Sequence, residues 1–262
     1  MRKHGDMATL CCSLLIGALA ITAVLATAAS DEPSRARQNT PPWKDSLLRK
    51  STDVQVNGIH QHWKVRGDQD SARRIYRVMT DNGNRFLHAY ADQQAIQIGL
   101  THTFSPQEFP LLRWCWCATQ LPPGADEGRQ GMHDSAAGVY VIFDNNFLPE
   151  VIKYVWSTTL PVGSRVQNPL YSRAKVVVPE SGASALGQWR QETVNFARDY
   201  QELFGQSPGP VQGIGLQTSS TFTKSVAIAD YDDFTLLNPE ALLAEGGSGS
   251  HVQQAPTAKS GQ

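Results

Sequence analysis

The chain has 262 residues, with 23 Lys and Arg against 24 Asp and Glu, so its net charge is −1. A chain this close to neutral, without a basic stripe, is not expected to bind nucleic acid. Apart from the N-terminal segment it has no long apolar run, so nothing else is expected to cross a membrane. Its length fits one large all-β domain.

The N-terminal segment has the layout of a secretory signal. Basic residues at 2–4 precede an uncharged stretch over 9–28, which ends in the small residues of Ala26-Thr-Ala28. This pattern predicts a signal peptide at residues 1–28 and a periplasmic or secreted protein. An uncharged stretch of about 20 residues could also span a bilayer, so an uncleaved inner-membrane anchor is the alternative.

Composition divides the rest of the chain into three parts. Residues 29–50, which contain several prolines and scattered charges, read as a flexible tether. Residues 245–262 have almost nothing to bury and read as a disordered tail. Between them, residues 51–244 form one domain without internal repeats.

That domain consists mostly of predicted strands. Short segments rich in Val, Ile, Tyr and Trp are separated by Gly, Pro and Asn turn signals. The Asp81-Asn82-Gly83 sequence predicts a tight hairpin turn. The predicted strands are 74–80, 85–91, 95–100, 111–118, 138–143, 151–156, 174–179, 189–194, 211–218 and 225–236.

One helix is predicted over residues 195–204. Phe196, Tyr200, Leu203 and Phe204 share one helical face, and Gly205 follows where the helix should end. One short helix among many strands predicts an all-β fold, a two-sheet antiparallel jelly-roll β-sandwich.

Cys115 and Cys117 are the cysteines that remain after the signal. On a strand they share a face, with Cα atoms about 6.5–7 Å apart, at the upper limit for a disulfide. No further ligand lies nearby in sequence for a metal. Both are therefore interpreted as small buried apolar residues.

Trp114 and Trp116 lie on the same strand face, and they have two interpretations. They could form a stacking platform for sugar rings, or they could be core residues between two sheets. Asp126, His133 and Asp134 follow in a Gly- and Asp-rich loop at 123–137. These polar residues could bind a ligand or a hard cation such as Ca²⁺, or they could be solvated loop residues.

Other candidate residues carry less information. Trp156 and Trp189 have the same two interpretations as the first tryptophan pair. His60 and His62 alternate like two metal ligands on a strand, but no third ligand can be named. No cofactor is therefore predicted, and Ca²⁺ is the one cation that the loop residues could suit.

Hydrolysis of a glycan would need two carboxylates facing each other across a cleft. Glu150, Glu180, Glu192 and Asp134 are available, but the sequence does not pair them. No nucleophile, phosphate-binding or dinucleotide motif is present. The sequence thus assigns no catalytic residue and favours a protein that is not an enzyme.

The domain contains a set of motifs: Leu112-Arg-Trp-x-Trp116, Pro123-Gly-Ala-Asp126, His133-Asp134-x-Ala136-Ala137, Val139-Tyr-Val-Ile-Phe143, Ile152-x-Tyr-Val-Trp156, Trp189 and Asp199-Tyr-x-x-Leu-Phe-Gly205. Together they resemble one known family, the uncharacterised bacterial family of domain of unknown function 3047. The resemblance covers about 74–236 and implies an exported protein with a fold like the galactose-binding-like jelly rolls. The family's usual pattern differs here at Cys115 and Cys117, His133 and Gly138, where charged residues are common, and its Asp-rich run is replaced over 218–223.

Two functions follow as hypotheses. The first is an exported, non-catalytic binding domain of the carbohydrate-binding type, whose partner is a glycan or other polar small ligand bound by Trp114, Trp116, Asp126, His133 and Asp134. The second is a glycan-acting hydrolase with carboxylates from the loops around 126–134. Nothing in the sequence indicates an oligomeric state.

Overall fold

The structure, a computed structural model, describes residues 63–144 and 148–240. The predicted signal peptide, tether and tail lie outside these residues, as do His60 and His62. The described elements in chain order are β1 Lys64–Arg66, α1 Gln69–Ile75, β2 Tyr76–Asp81, β3 Asn84–Asp92, β4 Gln97–Phe104, β5 Leu111–Gln120, β6 Ser135–Phe143, β7 Glu150–Ser157, β8 Arg165–Gln167, β9 Ala174–Ser181, β10 Arg190–Asn195, α2 Phe196–Phe204, β11 Val211–Ser219 and β12 Val226–Leu237.

The strands form two sheets. The seven-stranded sheet has the order β1-β4-β11-β6-β7-β9-β8, and the five-stranded sheet has the order β10-β5-β12-β3-β2. All pairs are antiparallel except β7 with β9. The chain passes repeatedly from one sheet to the other, as it does between β3, β4, β5 and β6. The predicted two-sheet sandwich is confirmed, with one parallel pair added.

The core lies between the sheets, and strict alternation selects its residues. In β5, Trp114 and Trp116 point inward and are fully buried, whereas Cys115 and Cys117 point to the opposite side. The indole rings of Trp114 and Trp116 meet edge to face at 5.2 Å between centroids, and Trp156 from the other sheet lies 6.0 Å from Trp116. The tryptophans thus join the two sheets.

Helix α2 covers one side of this core, as the sequence predicts. The Asn195 side chain accepts a hydrogen bond from the Arg198 N–H at its start, and Gly205 ends it in the left-handed conformation at φ 72°. Phe196 and Tyr200 are buried. Phe204 is only partly buried, because it lies in the last turn, where its ring packs on Tyr200 with 4.6 Å between centroids.

A second helix was not predicted. Helix α1 begins after Asp68, whose side chain accepts from the Ser71 N–H, and it buries only Ala72 and Ile75. Seven residues with two buried side chains give too short a pattern to separate helix from strand. Consequently the strand predicted from residue 74 begins at Tyr76 instead.

The outward side of β5 carries the two thiols, neither of which forms a disulfide. Cys117 is buried, as predicted, but Cys115 is half-exposed. Burial raises the pKa of Cys117 to about 11, and the negative charge of Asp230 adds to the effect. In the part of the chain that the structure describes, neither helix has the length and apolar character needed to cross a bilayer.

Candidate functional site

The structure corrects the expected role of Trp114 and Trp116. Each side chain has 0% of its surface exposed, so neither ring face is open to a sugar. Trp116 donates a hydrogen bond from Nε1 to Glu192 Oε1 at 3.2 Å. Strand alternation correctly places the two rings on one face, but that face is the core and not a groove.

Asp126 shapes the loop between β5 and β6. Its Oδ1 accepts from the Gly128 N–H at 2.9 Å, and its own N–H donates to the Met132 carbonyl at 2.8 Å. These bonds close a compact turn on the surface. The half-exposed Asp126 carboxylate therefore stabilises the backbone of its own loop.

Asp134 connects this loop to the one between β11 and β12. Its Oδ2 accepts from the N–H groups of Phe222 and Thr223, at 2.8 and 2.7 Å, and from the Thr223 hydroxyl at 2.9 Å. The side chain is 1% exposed, and its Oδ1 has no hydrogen-bond partner among the described residues. One oxygen thus holds the second loop, and the other is left for a further donor.

His133 lies against the exposed ring of Phe222, with 4.0 Å between the ring centroids. Phe222 keeps 37% of its surface exposed. Both ring nitrogens of His133 are enclosed and have no hydrogen-bond partner in the described part of the chain. Burial, assisted by the positive charge of Lys153, holds the pKa of His133 below its usual value.

Lys153 is a residue of this region that sequence reasoning missed. It points to the outer side of β7, is 4% exposed, and donates from Nζ to Ser135 Oγ at 2.8 Å. Its side chain crosses β6 at Gly138, where a Cβ atom would lie only 3.0 Å from Lys153 Cε. Gly138 therefore makes room for the Lys153 side chain. Alternation along β7 alone predicts that Lys153 is partly exposed.

Glu127 was also missed. It is 1% exposed, and its Oε2 accepts from Ser157 Oγ at 2.6 Å, while Oε1 has no partner among the described residues. Burial raises the pKa of Glu127, and the charge of Lys153 partly opposes that effect. Its neighbours in sequence look like ordinary loop residues, so only the packing of β7 against the loop reveals it.

We name the group formed by Glu127, His133, Asp134, Lys153 and Phe222 the polar loop site. It combines enclosed polar atoms with one exposed aromatic ring. Within residues 63–144 and 148–240, no three His, Cys, Asp or Glu side chains are placed to hold a metal ion. A separate cavity beside β4 and β12 has a volume of about 10 Å³, enough for roughly one water molecule.

The remaining predicted carboxylates lie elsewhere. Glu150 accepts hydrogen bonds from Tyr200 and pairs with Arg173 at 3.0 Å, so it anchors α2. Glu180 and Glu192 lie on β9 and β10. Glu180 pairs with Arg190, and Glu192 accepts from Trp116, so these carboxylates serve other parts of the fold.

The other two candidate tryptophans differ from each other. Trp156 is fully buried and donates from Nε1 to the Gly182 carbonyl at 3.1 Å. Trp189, just before β10, keeps 44% of its surface exposed. Only Trp189 among these four tryptophans presents a ring to solvent.

Residues 61–235 match the family described as "Protein of unknown function (DUF3047)". No curated protein matches the sequence. Among solved structures, the family 11 xylanase from Neocallimastix patriciarum is similar at 10% sequence identity and a TM-score of 0.31, over 67% of this chain and 100% of that chain. A likeness this distant carries no argument about activity. The family match spans more than half of the sequence, and the chain belongs to this family of unknown function, DUF3047.

Proposed function

We propose that this is an exported, non-catalytic binding protein that holds a polar small ligand of the carbohydrate type at the polar loop site. The observation that carries the proposal is the set of enclosed polar atoms without partners beside an exposed ring. These atoms are Glu127 Oε1, Asp134 Oδ1 and both ring nitrogens of His133, and the ring is that of Phe222.

Enclosed polar atoms without partners are costly, so native proteins satisfy them with protein groups, ordered water or a ligand. The unpartnered oxygens of Glu127 and Asp134 are free to act as hydrogen-bond acceptors for a ligand. Sugar hydroxyls can donate to carboxylate oxygens and can also bond to either nitrogen of His133. A ligand rich in hydroxyls therefore matches the site better than a purely apolar one.

The exposed ring supplies the second part of the match. A pyranose has an apolar face that packs on aromatic rings, and Phe222 is held in place by His133 on one side and by the loop that Asp134 anchors. In this binding mode the ring orients the sugar, and the enclosed groups bond to its hydroxyls once the loop that carries Phe222 shifts to admit them. The proposal requires no metal or other cofactor.

The experiment is a titration of the full secreted chain with a panel of soluble oligosaccharides, followed by calorimetry or by NMR shifts of the ligand. We expect binding by at least one sugar and a loss of about tenfold in affinity for Phe222→Ala and for His133→Ala. Leu170→Ala is the matched control, because Leu170 is an exposed apolar residue outside the site. Binding that is unaffected by both site variants, or no binding by any sugar, would reject the proposal.

A second candidate function is glycan hydrolysis at Glu180 and Glu192. Burial raises the pKa of Glu192, and the negative charge of Glu180 raises it further. Glu180 is instead held by Arg190, with 3.0 Å between Arg190 Nε and Glu180 Oε2. Two nearby carboxylates in unequal environments are the arrangement from which glycosidases take an acid and a base.

Release of reducing sugar from the same panel tests this second candidate. Hydrolysis that is abolished by Glu192→Gln, with folding intact, would support it. Glu202→Gln is a suitable control, since Glu202 is an exposed carboxylate on α2. If the unmodified protein releases no reducing sugar, hydrolysis is rejected and only the binding function remains as a proposal.

A further inference from the structure

The outer face of the five-stranded sheet, the side away from the other sheet, carries exposed aromatic and apolar side chains. Met79 on β2 lies opposite Phe86 on β3, and Tyr90 follows on the same side of β3. Met79 and Tyr90 are 41% and 38% exposed. None of these three residues belongs to the main hydrophobic core or to the small apolar cluster around Val155 and Val176.

Trp189 extends onto the same face from the loop before β10. Its indole ring meets the ring of Phe86 edge to face, with 5.5 Å between centroids and planes at 77°. Phe86 is 9% exposed, whereas Trp189 keeps 44% of its surface exposed. The indole is therefore fixed by an aromatic contact on one edge while a large part of it stays open to solvent.

Two fixed hydrogen-bonded pairs flank these rings on the same face. Asn84 Nδ2 donates to Asp232 Oδ2 at 2.9 Å, and His88 Nδ1 lies 2.6 Å from Asp230 Oδ1. Asn84 and His88 are two positions before and after Phe86 on β3, so both side chains share its side of the sheet. Planar amide, carboxylate and imidazole groups thus surround the aromatic pair.

We infer that this outer face is a second ligand surface, one that takes a pyranose sugar stacked on Trp189. The exposed ring packs against the apolar side of the sugar, and the side chains of Asn84, His88 and Asp230 lie where its hydroxyls can exchange hydrogen bonds. The inference adopts the carbohydrate class of ligand from the proposed function but uses a different surface. Two surfaces on one domain would let it hold two parts of one glycan chain or two chains.

Polar groups distinguish this face from a protein-docking patch. A surface that buries another protein has its charged residues depleted at the centre. Here the two hydrogen-bonded pairs that contain Asp230 and Asp232 lie directly beside the aromatic pair, within one or two strand positions of Phe86. Such a mixture suits a ligand that is itself covered with hydroxyl groups.

The test uses the full chain in a Trp43→Phe background, because Trp43 lies outside the described residues and would add its own emission. Among the tryptophans at 63–240, only Trp189 has a largely exposed ring. Soluble xylo-, cello- and manno-oligosaccharides are the probes. We expect a bound sugar to shift the tryptophan emission to shorter wavelength and to protect it from iodide. Calorimetry should show a roughly tenfold weaker affinity for Trp189→Ala and a nearly unchanged one for Trp189→Phe.

Matched variants separate this inference from the proposed function. Binding weakened by Trp189→Ala but not by Phe222→Ala supports the outer face, and Leu170→Ala controls for loss of exposed apolar surface. Binding weakened by Phe222→Ala alone overturns this inference and leaves the polar loop site. Concentration-dependent dimerisation that Trp189→Ala abolishes would show that a second copy covers the face, and it would also overturn the inference.

Discussion

The hydroxyl of Tyr154 donates a hydrogen bond to Asp199 Oδ2 at 2.8 Å, between β7 and helix α2. Asp199 also pairs through Oδ1 with Arg165 of β8 at 2.7 Å. Both members of the first pair belong to motifs through which the sequence resembles the family, Tyr154 in Tyr-Val-Trp and Asp199 in Asp-Tyr-x-x-Leu-Phe-Gly. These two motifs therefore meet each other in the fold, where they attach helix α2 to the sheet.

Removing this buried carboxylate should be costly. Asp199→Ala leaves the buried Tyr154 hydroxyl without its acceptor and removes one of the two carboxylates that Arg165 contacts, and we expect a loss of about 2–3 kcal/mol in the free energy of unfolding. Tyr154→Phe should cost only about 1–2 kcal/mol, because Arg165 still compensates Asp199. Urea denaturation measures both values.

The control for this pair is Glu202, which also contacts Arg165, at 2.9 Å, but is half exposed. Glu202→Ala should cost less than about 1 kcal/mol. Equal losses for the two acidic residues would show that the helix is held by general charge and not by the buried bond.

Trp116 should behave as a core residue. Trp116→Ala removes a fully buried ring and leaves Glu192 without its indole donor, so we expect a loss of about 3–5 kcal/mol. Trp189→Ala should cost about 1 kcal/mol or less, because much of that ring is already in water. Thermal and urea unfolding of the two variants side by side provide the measurement. A small loss for Trp116→Ala would restore it as a candidate for ligand stacking.

Asp134 should affect folding as well as binding. Asp134→Ala leaves the N–H groups of Phe222 and Thr223 without their acceptor, and we expect about 2–4 kcal/mol of destabilisation. Asp126→Ala breaks one bond in an exposed turn and should cost about 1 kcal/mol or less. Hydrogen exchange of the loop at 220–225 should speed up only in the first variant. This is why His133 and Phe222 are better probes of ligand binding.

The stability of the protein should depend on the protonation of His133. Its pKa is lowered in the folded state from the usual 6.5, so below about pH 6.5 the unfolded chain binds more protons than the folded one. Stability should therefore fall as the pH decreases from about 7 to about 5. The fall should be smaller in His133→Asn than in the unmodified protein.

A second histidine provides the control for this dependence. Burial also lowers the pKa of His102, which lies on β4 away from the polar loop site. His102→Asn should also reduce the dependence of the free energy of unfolding on pH, independently of His133→Asn. If the free energy of unfolding of His133→Asn changes with pH as steeply as that of the unmodified protein, His133 does not take up a proton on unfolding, and the prediction is wrong.

Export should be visible in the mature chain. If the segment at 1–28 is a cleaved signal, native protein should begin near Ala29 and be recovered outside the cytoplasm. Mass spectrometry of the intact protein provides the measurement. An intact Met1 together with retention in the membrane fraction would favour the uncleaved anchor.

The strands were largely predictable because their signal is local. Alternation and turn residues locate β3 to β7 and β9 to β12 within a few positions, and Asn82 and Gly83 adopt the positive φ angles, 47° and 81°, of the predicted hairpin turn. The three-residue strands β1 and β8 and the short helix α1 are too brief to carry such a pattern. Their existence depends on neighbours that are distant in sequence.

The candidate site was only partly predictable, for a related reason. Alternation shows that Trp114 and Trp116 share a face, but which face is the core depends on the opposite sheet. The loop residues His133 and Asp134 were identified by type and position. Lys153 was not identified, because its side chain reaches this place across β6. Glu127 was not identified, because only its contact with Ser157 of β7 shows that this loop carboxylate is buried.

The two thiols on the outward side of β5 bear on the proposed export of the protein. A thiol whose pKa is about 11 is almost entirely protonated at neutral pH, and only the thiolate reacts readily with oxidants and disulfides. Cys117 is thus slow to oxidise by itself, and its spacing from Cys115 disfavours a bond between them. If the protein is exported as proposed, Cys117 should stay reduced in an oxidising compartment, and the stability of the sandwich should be the same in reducing and oxidising buffers.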